Sequence, residues 1–158
     1  MMVIAEIKAG GGVLGICPAP GRQGDYAGDL GIVTGWAPVL VLSMTEPQEL
    51  VELGAEEFAG DLARNGIGLE ALPIKDFGVP GDAVLARWPE VSKGVRAALA
   101  TGGRALVHCR GGCGRSGMAV LRLMIEMGEA PEAALARLRA ARPCAVETDA
   151  QKTWAFAG

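Results

Sequence analysis

The chain predicts an α/β fold: a mostly parallel central sheet covered by helices on both faces. Three observations carry this reading. Short apolar, β-branched runs alternate with longer segments of helical periodicity, the pattern that parallel strands with helical crossovers require. Val39-Leu40-Val41-Leu42 has the length and unbroken apolar character of a strand buried on both faces. Met118 to Met127 is apolar nearly all round, which marks a central, buried helix. With 158 residues, 50% of them hydrophobic, the sequence suits one domain, residues 1–158, around a single core.

The elements follow in order. Val3 to Ile7 and Val13 to Cys17 read as short edge strands joined by Gly10-Gly11-Gly12, and Pro18-Ala19-Pro20-Gly21 ends their pairing. Asp25 to Gly35 reads as a helix and Val39 to Leu42 as the next strand. Leu50, Val51, Leu53, Phe58 and Leu62 place a helical stripe between Glu46 and Asn65, divided at Gly54. Gly66 opens a strand through Ile74, Asp82 caps a helix to Ala100, and Arg104 to His108 is a strand. Helices over Ser116–Met127, Pro131–Ala141 and Asp149–Phe156 complete the chain, with no internal repeat or low-complexity tract.

Composition narrows the partners. A formal net charge of −3 supplies no basic field for nucleic acid. No run approaches the ~18 apolar residues of a membrane span, and Met1 to Lys8 lacks the basic start and apolar stretch of a signal peptide. These features point to a soluble, cytoplasmic protein, and a monomer is expected. Cysteines 17, 109, 113 and 144 fit no zinc spacing, and a reducing compartment favours thiols over disulfides. No metal or cofactor is implied.

The informative stretch is His108-Cys109-Arg110-Gly111-Gly112-Cys113-Gly114-Arg115-Ser116-Gly117. It lies between the apolar strand Ala105-Leu106-Val107 and the apolar helix, at the carboxyl edge of the sheet where α/β folds bind ligands. Glycines there let successive N–H groups converge, and the helix adds its positive end. Such a turn cradles an anion. A thiol of pKa near 8.5 is about 3% ionised at pH 7 and one near 5.5 almost fully, a difference of roughly 4 kcal/mol. A helix terminus gives only about 0.5–2 kcal/mol, so converging N–H groups and an arginine must add the rest.

Cys-x5-Arg alone has little weight, but its context does not arise by chance: an adjacent histidine, glycines inside, a hydroxyl after the arginine, and strand-then-helix flanks. The stretch resembles the signature loop of the cysteine-dependent protein phosphatases, His-Cys-x5-Arg-Ser/Thr, above all the small dual-specificity members. The resemblance runs from about Asp25 to Phe156. It implies that Cys109 is the nucleophile, that the amides of Arg110, Gly111, Gly112, Cys113, Gly114 and Arg115 hold the phosphoryl oxygens, and that the Arg115 fork binds two of them. His108 would order the loop without moving protons. Ser116 is either the helix N-cap or, as in the family, a hydroxyl that helps the sulfur leave.

The general acid should sit on another loop. Asp76, in Leu72-Pro73-Ile74-Lys75-Asp76-Phe77-Gly78-Val79-Pro80, resembles the family's acid loop, with Asp82 as runner-up. Thr148-x-x-Gln151 fits a capping box, and Gln151 also matches the family's water-positioning glutamine. Cys113 departs from the family, which carries a small or aliphatic residue there. It is either an apolar filler or a thiol that resolves an oxidised Cys109 through a 109–113 disulfide.

The implied activity is phosphomonoester hydrolysis on a phosphorylated protein or peptide, in a pocket shallow enough for phosphoserine, phosphothreonine and phosphotyrosine. Phosphoinositide-directed relatives carry lysines inside this loop, where here only Arg110 adds charge, so the resemblance leaves a phosphoinositide or other small phosphorylated molecule as the alternative substrate. A non-catalytic phosphate-binding module is the alternative of another class. Arsenate reduction would place such a loop near the N-terminus, and sulfur transfer would need no aspartic acid.

Overall fold

The structure is a computed structural model that describes residues 1–158. In chain order its elements are β1 (Ala5–Ala9), β2 (Gly12–Cys17), α1 (Tyr26–Trp36), β3 (Leu40–Ser43), α2 (Pro47–Glu52), α3 (Phe58–Arg64), β4 (Gly68–Ala71), α4 (Asp82–Ala100), β5 (Arg104–His108), α5 (Gly114–Glu126), α6 (Pro131–Ala141) and α7 (Asp149–Phe156). The five strands make one sheet in the order β1-β2-β5-β3-β4. Only the β1–β2 pair is antiparallel. The α/β architecture with a mostly parallel sheet is therefore present.

Local chemistry explains where boundaries differ from the sequence reading. Gly10 and Gly11 both take positive φ, 60° and 96°, which makes them a two-residue hairpin turn. Ala9 then pairs with Gly12, so Gly12 opens β2 and β1 occupies Ala5–Ala9 rather than Val3–Ile7. Beyond Ala71, the N–H groups of Leu72 and Ile74 still donate to Ser43 and Met44, but Pro73 has no N–H and the regular ladder stops. The stripe from Glu46 to Asn65 does divide near Gly54, whose φ is 70°. Gly81 occupies the N-cap position of α4, and Asp82 is its first helical residue rather than its cap.

Both faces of the sheet are covered. Ala105 and Val107 of β5 join Leu14, Ile16 and Leu42 in the larger core, closed by Val84, Trp88, Val95 and Leu99 of α4 and by Met118 and Leu121 of α5. Leu106, between them in sequence, points the other way into a smaller core with Cys17, Val33, Val41, Phe58 and Leu62. Each buried side chain of this size stabilises by roughly 1.5–3 kcal/mol. Residues of α5 from Gly114 to Leu121 are all buried, so its N-terminus is fixed against the sheet. No helix is long and apolar enough to cross a membrane.

Candidate active site

Three parallel strands end side by side: Cys17 of β2 and Ser43 of β3 both register with His108 of β5. The chain leaving β5 wraps through residues 109–113 into α5. Gly112 takes a φ of 70°, and a Cβ there would lie 2.5 Å from the Pro18 nitrogen, so only glycine fits. The carbonyls of residues 110–113 are all held by hydrogen bonds. The Arg110 oxygen accepts from the Ala19 N–H, and the Cys113 oxygen accepts from Gly117 and Val146. The Gly111 and Gly112 oxygens accept from the Arg142 guanidinium at 3.0 and 2.9 Å.

The opposite edges of those peptides face inward. The N–H groups of residues 110 to 116 donate to no carbonyl or side chain of the protein. Seven unengaged donors and the start of a buried helix therefore follow Cys109 directly in the chain. Cys109 is buried, with its Sγ 3.1 Å from Ser116 Oγ. Because α5 begins at Gly114, Ser116 is its third residue, and the N-cap position belongs to Cys113. The Ser116 hydroxyl is thus free for the sulfur, and its capping role is corrected.

Arg115 is buried, and its Nη1 and Nη2 each donate to Glu49 at 2.7 Å, with Nη1 also on the Ile74 carbonyl at 2.8 Å. Its Nε has no protein partner. Burial acts to raise the Glu49 carboxyl, but the hydrogen bonds from Arg115 and the Glu46 N–H outweigh it, and Glu49 stays below the usual carboxylate range. Burial likewise opposes charge on Arg115, and the Glu49 bond and nearby Cys109 and Asp76 reverse that, so its pKa rises. Asp76 Oδ1 lies 3.1 Å from Arg115 Nη2 and accepts from the Phe77 N–H at 3.0 Å. Phe77 has a φ of 62°, a strained conformation for a bulky residue, worth on the order of 1–3 kcal/mol. Asp76 and Phe77 line a cavity of about 310 Å³ together with Arg22, Arg110, Gly111, Cys113 and Glu147.

No family model and no curated protein matches the sequence, but solved structures do. A kinase-associated phosphatase carrying serine for its catalytic-site cysteine superposes with a TM-score of 0.84 at 22% identity, over 98% of this chain and 92% of that one. Tk-PTP in its active form gives 0.74 at 25% identity, over 96% and 95%. Human DUSP28 gives 0.61 at 21% identity, over 91% and 85%. The chain has the fold of the small dual-specificity phosphatases. Within this phosphatase fold the signature loop holds the position the sequence assigned to it, between a central strand and a buried helix.

His108 is buried, with Nδ1 3.2 Å from the Cys109 carbonyl, its Nε2 unpartnered and its ring edge-on to Phe58. Burial pushes its pKa down to about 4, so it stays neutral near pH 7. That depressed value sets a pH dependence. Stability is full above the unfolded value of 6.5 and falls as pH drops toward about 4, where the unfolded chain binds a proton that the folded ring refuses. The loss should total about 3 kcal/mol. Urea melts from pH 7 to 4 should show a wild-type decline that is correspondingly smaller in His108→Asn.

Gln151 is fully buried and completes the capping box: its Oε1 accepts from the Glu147 and Thr148 N–H groups, and its backbone N–H donates to Thr148. The Nε2 donates to the Gly78 carbonyl at 3.2 Å, tying α7 to the Asp76 loop. A Cβ on Gly114 would lie 3.0 Å from that amide, so Gln151 also borders the turn that follows Cys109.

Two expectations about cysteine are corrected. Cys113 and Cys144 form a disulfide, leaving only Cys17 and Cys109 as thiols. Cys113 is thus neither a free filler nor available to Cys109, because its sulfur is already bonded. Spacing could not reveal the pair, since 31 residues separate the partners. Glu49 and Arg142 were also missed, for both lie on segments that read as ordinary helix and turn. Cys17 is a buried core thiol whose pKa burial, and then the nearby Cys109, push upward.

Proposed function

We propose that the protein is a metal-independent phosphomonoester hydrolase, of protein tyrosine or dual-specificity type, that works through a phosphocysteine intermediate. The observation that carries this reading is the set of seven N–H groups, residues 110 to 116, that follow Cys109 with no protein acceptor. A phosphate placed there would meet those donors and the Nε of Arg115, which supply the positive charge that stabilises a transferring phosphoryl group.

The Cys109 thiolate attacks phosphorus, an S–P bond forms, and the P–O bond to the leaving group breaks. Asp76 gives its proton to that oxygen; an incoming phosphate takes its place against Arg115 and frees it to turn toward the leaving group. In the second step Asp76 removes a proton from water, the water oxygen attacks phosphorus, and the S–P bond breaks. Ser116 donates a hydrogen bond to the departing thiolate. His108 and Gln151 act as positioning residues, the one for the loop and the other for the Asp76 segment.

The substrate class proposed is a phosphorylated protein or peptide. The cavity is bordered by the exposed Phe77 ring, a surface against which a peptide side chain can lie. Arg110 is occupied by Glu52 at 2.7 Å, whereas the Arg22 guanidinium lies over Gly111 and can meet a second acidic group beside the ester.

Acid quenching during turnover of para-nitrophenyl phosphate, followed by peptide mass spectrometry, should find a phosphoryl group on the Cys109 peptide. Asp76→Asn should lower kcat on a phosphotyrosyl peptide by about 10²–10³-fold, and less on para-nitrophenyl phosphate, whose leaving group needs little protonation. Undiminished peptide turnover by Asp76→Asn would remove the acid assignment.

A further inference from the structure

The disulfide joins two parts of the site with different exposure. Cys113 belongs to the phosphate loop and lines the cavity, while Cys144 is exposed on the segment between α6 and α7, with a Cα–Cα distance of 5.2 Å. That segment is the wall that sets the loop's carbonyls: Arg142 holds the Gly111 and Gly112 oxygens, and the Val146 N–H holds that of Cys113. Arg139 in turn binds the Ala145 and Val146 carbonyls, so the wall is anchored to α6. The Cys113–Cys144 bond is the one covalent link between wall and cradle.

We propose that this disulfide is a redox latch on the phosphate loop, closed when oxidised, opened by a dithiol reductant, and that opening it weakens phosphate binding. The proposal rests on the reading of the loop as a phosphate site. A reductant thiolate attacks the sulfur of Cys144, the more exposed of the two residues, the S–S bond breaks, and Cys113 leaves as a thiolate that takes up a proton. The reductant's second thiol then displaces Cys144 from the mixed disulfide. Cys113 and Cys144 end as thiols and the reductant as a disulfide, a transfer of two electrons and two protons.

Binding weakens because the loop's order is then kept by hydrogen bonds alone. Gly111, Gly112 and Gly114 flank Cys113, so a released loop gains backbone freedom that phosphate must remove again. The sign is opposite to the usual loss of activity when a catalytic thiol is oxidised. Coupling is also reciprocal: if oxidation favours phosphate, bound phosphate must favour the oxidised latch by the same factor.

Activity assays would confuse the latch with the redox state of Cys109, so the test uses Cys109→Ser and inorganic phosphate. Calorimetric titration should give a Kd about five- to tenfold higher after reduction by dithiothreitol, an ordinary coupling factor. Cys109→Ser/Cys144→Ala should bind with the weaker value and ignore the reductant. Saturating phosphate should raise the dithiothreitol concentration needed for half-reduction. Equal Kd values in both states overturn the latch and leave the phosphate reading intact. Binding in neither state overturns the phosphate reading and the latch with it. A thiol assay of the unreduced, denatured wild type that finds Cys113 and Cys144 free also overturns the latch.

Discussion

Cys109→Ser should lower turnover of para-nitrophenyl phosphate by more than about 10⁴-fold while phosphate still binds. The substitution exchanges sulfur for oxygen at a buried position and leaves the seven N–H groups, the α5 terminus and Arg115 in place. Binding therefore survives. What disappears is the nucleophile, because a serine hydroxyl is not ionised near neutral pH and no histidine or lysine stands ready to activate it: His108 faces the Cys109 carbonyl and is held neutral. Stopped-flow turnover paired with phosphate titration separates the two effects. Retained turnover would eliminate the phosphocysteine route. Turnover undetectable in both proteins, with phosphate bound by both, would instead identify a phosphate-binding module.

Arg115→Lys should lower kcat/KM by roughly 10³-fold, although it keeps the charge. On the proposed reading the guanidinium has two tasks: Nη1 and Nη2 are fixed by Glu49 and the Ile74 carbonyl, and Nε, which has no protein partner, would meet the phosphate. A lysine has one ammonium group for both. Whichever task it takes, the other fails, and the Glu49 carboxylate keeps at most one of its two guanidinium bonds. The stability cost should be about 2 kcal/mol, a drop in Tm of about 4–8 °C. Pairing the change with Glu49→Gln should recover much of the Tm and none of the activity. A double variant as active as the wild type would show that Arg115 does not touch substrate. A buried ion pair adds little net stability over apolar packing, so the value of Glu49 lies in aiming the arginine.

Much of this was legible in the sequence, for reasons that can be named. Asp82–Ala100, Arg104–His108, Pro131–Ala141 and Asp149–Phe156 match the observed elements because each is bounded by a strong local signal: a glycine turn, Pro131 at a helix start, or the Thr148 capping box. The turn between β5 and α5 was legible because its requirements are local, a run of small residues between a strand and a helix. The Glu49 contact was not, because it is made across 66 residues by a helix whose own pattern says only that it is amphipathic. Arg142 was hidden likewise: what matters is which carbonyls it holds, and that depends on the packing of α6 against α5. The start of α5 was misplaced by two residues because Ser116 is a good capping residue, and tertiary structure gave its hydroxyl to the Cys109 sulfur.

The outward-held carbonyls of the loop separate chemistry from choice. On the proposed reading the N–H groups would grip any tetrahedral oxyanion, and nothing in that grip would inspect what the phosphate is attached to. Recognition of the attached molecule falls to the rim, where Arg22, Phe77 and Glu147 are exposed and carry none of the loop's hydrogen bonds to Arg142. If the proposed reading holds, substrate preference would drift by substitution at the rim while the buried residues stay constant, and two descendants of this chain would share every reacting atom yet dephosphorylate different molecules.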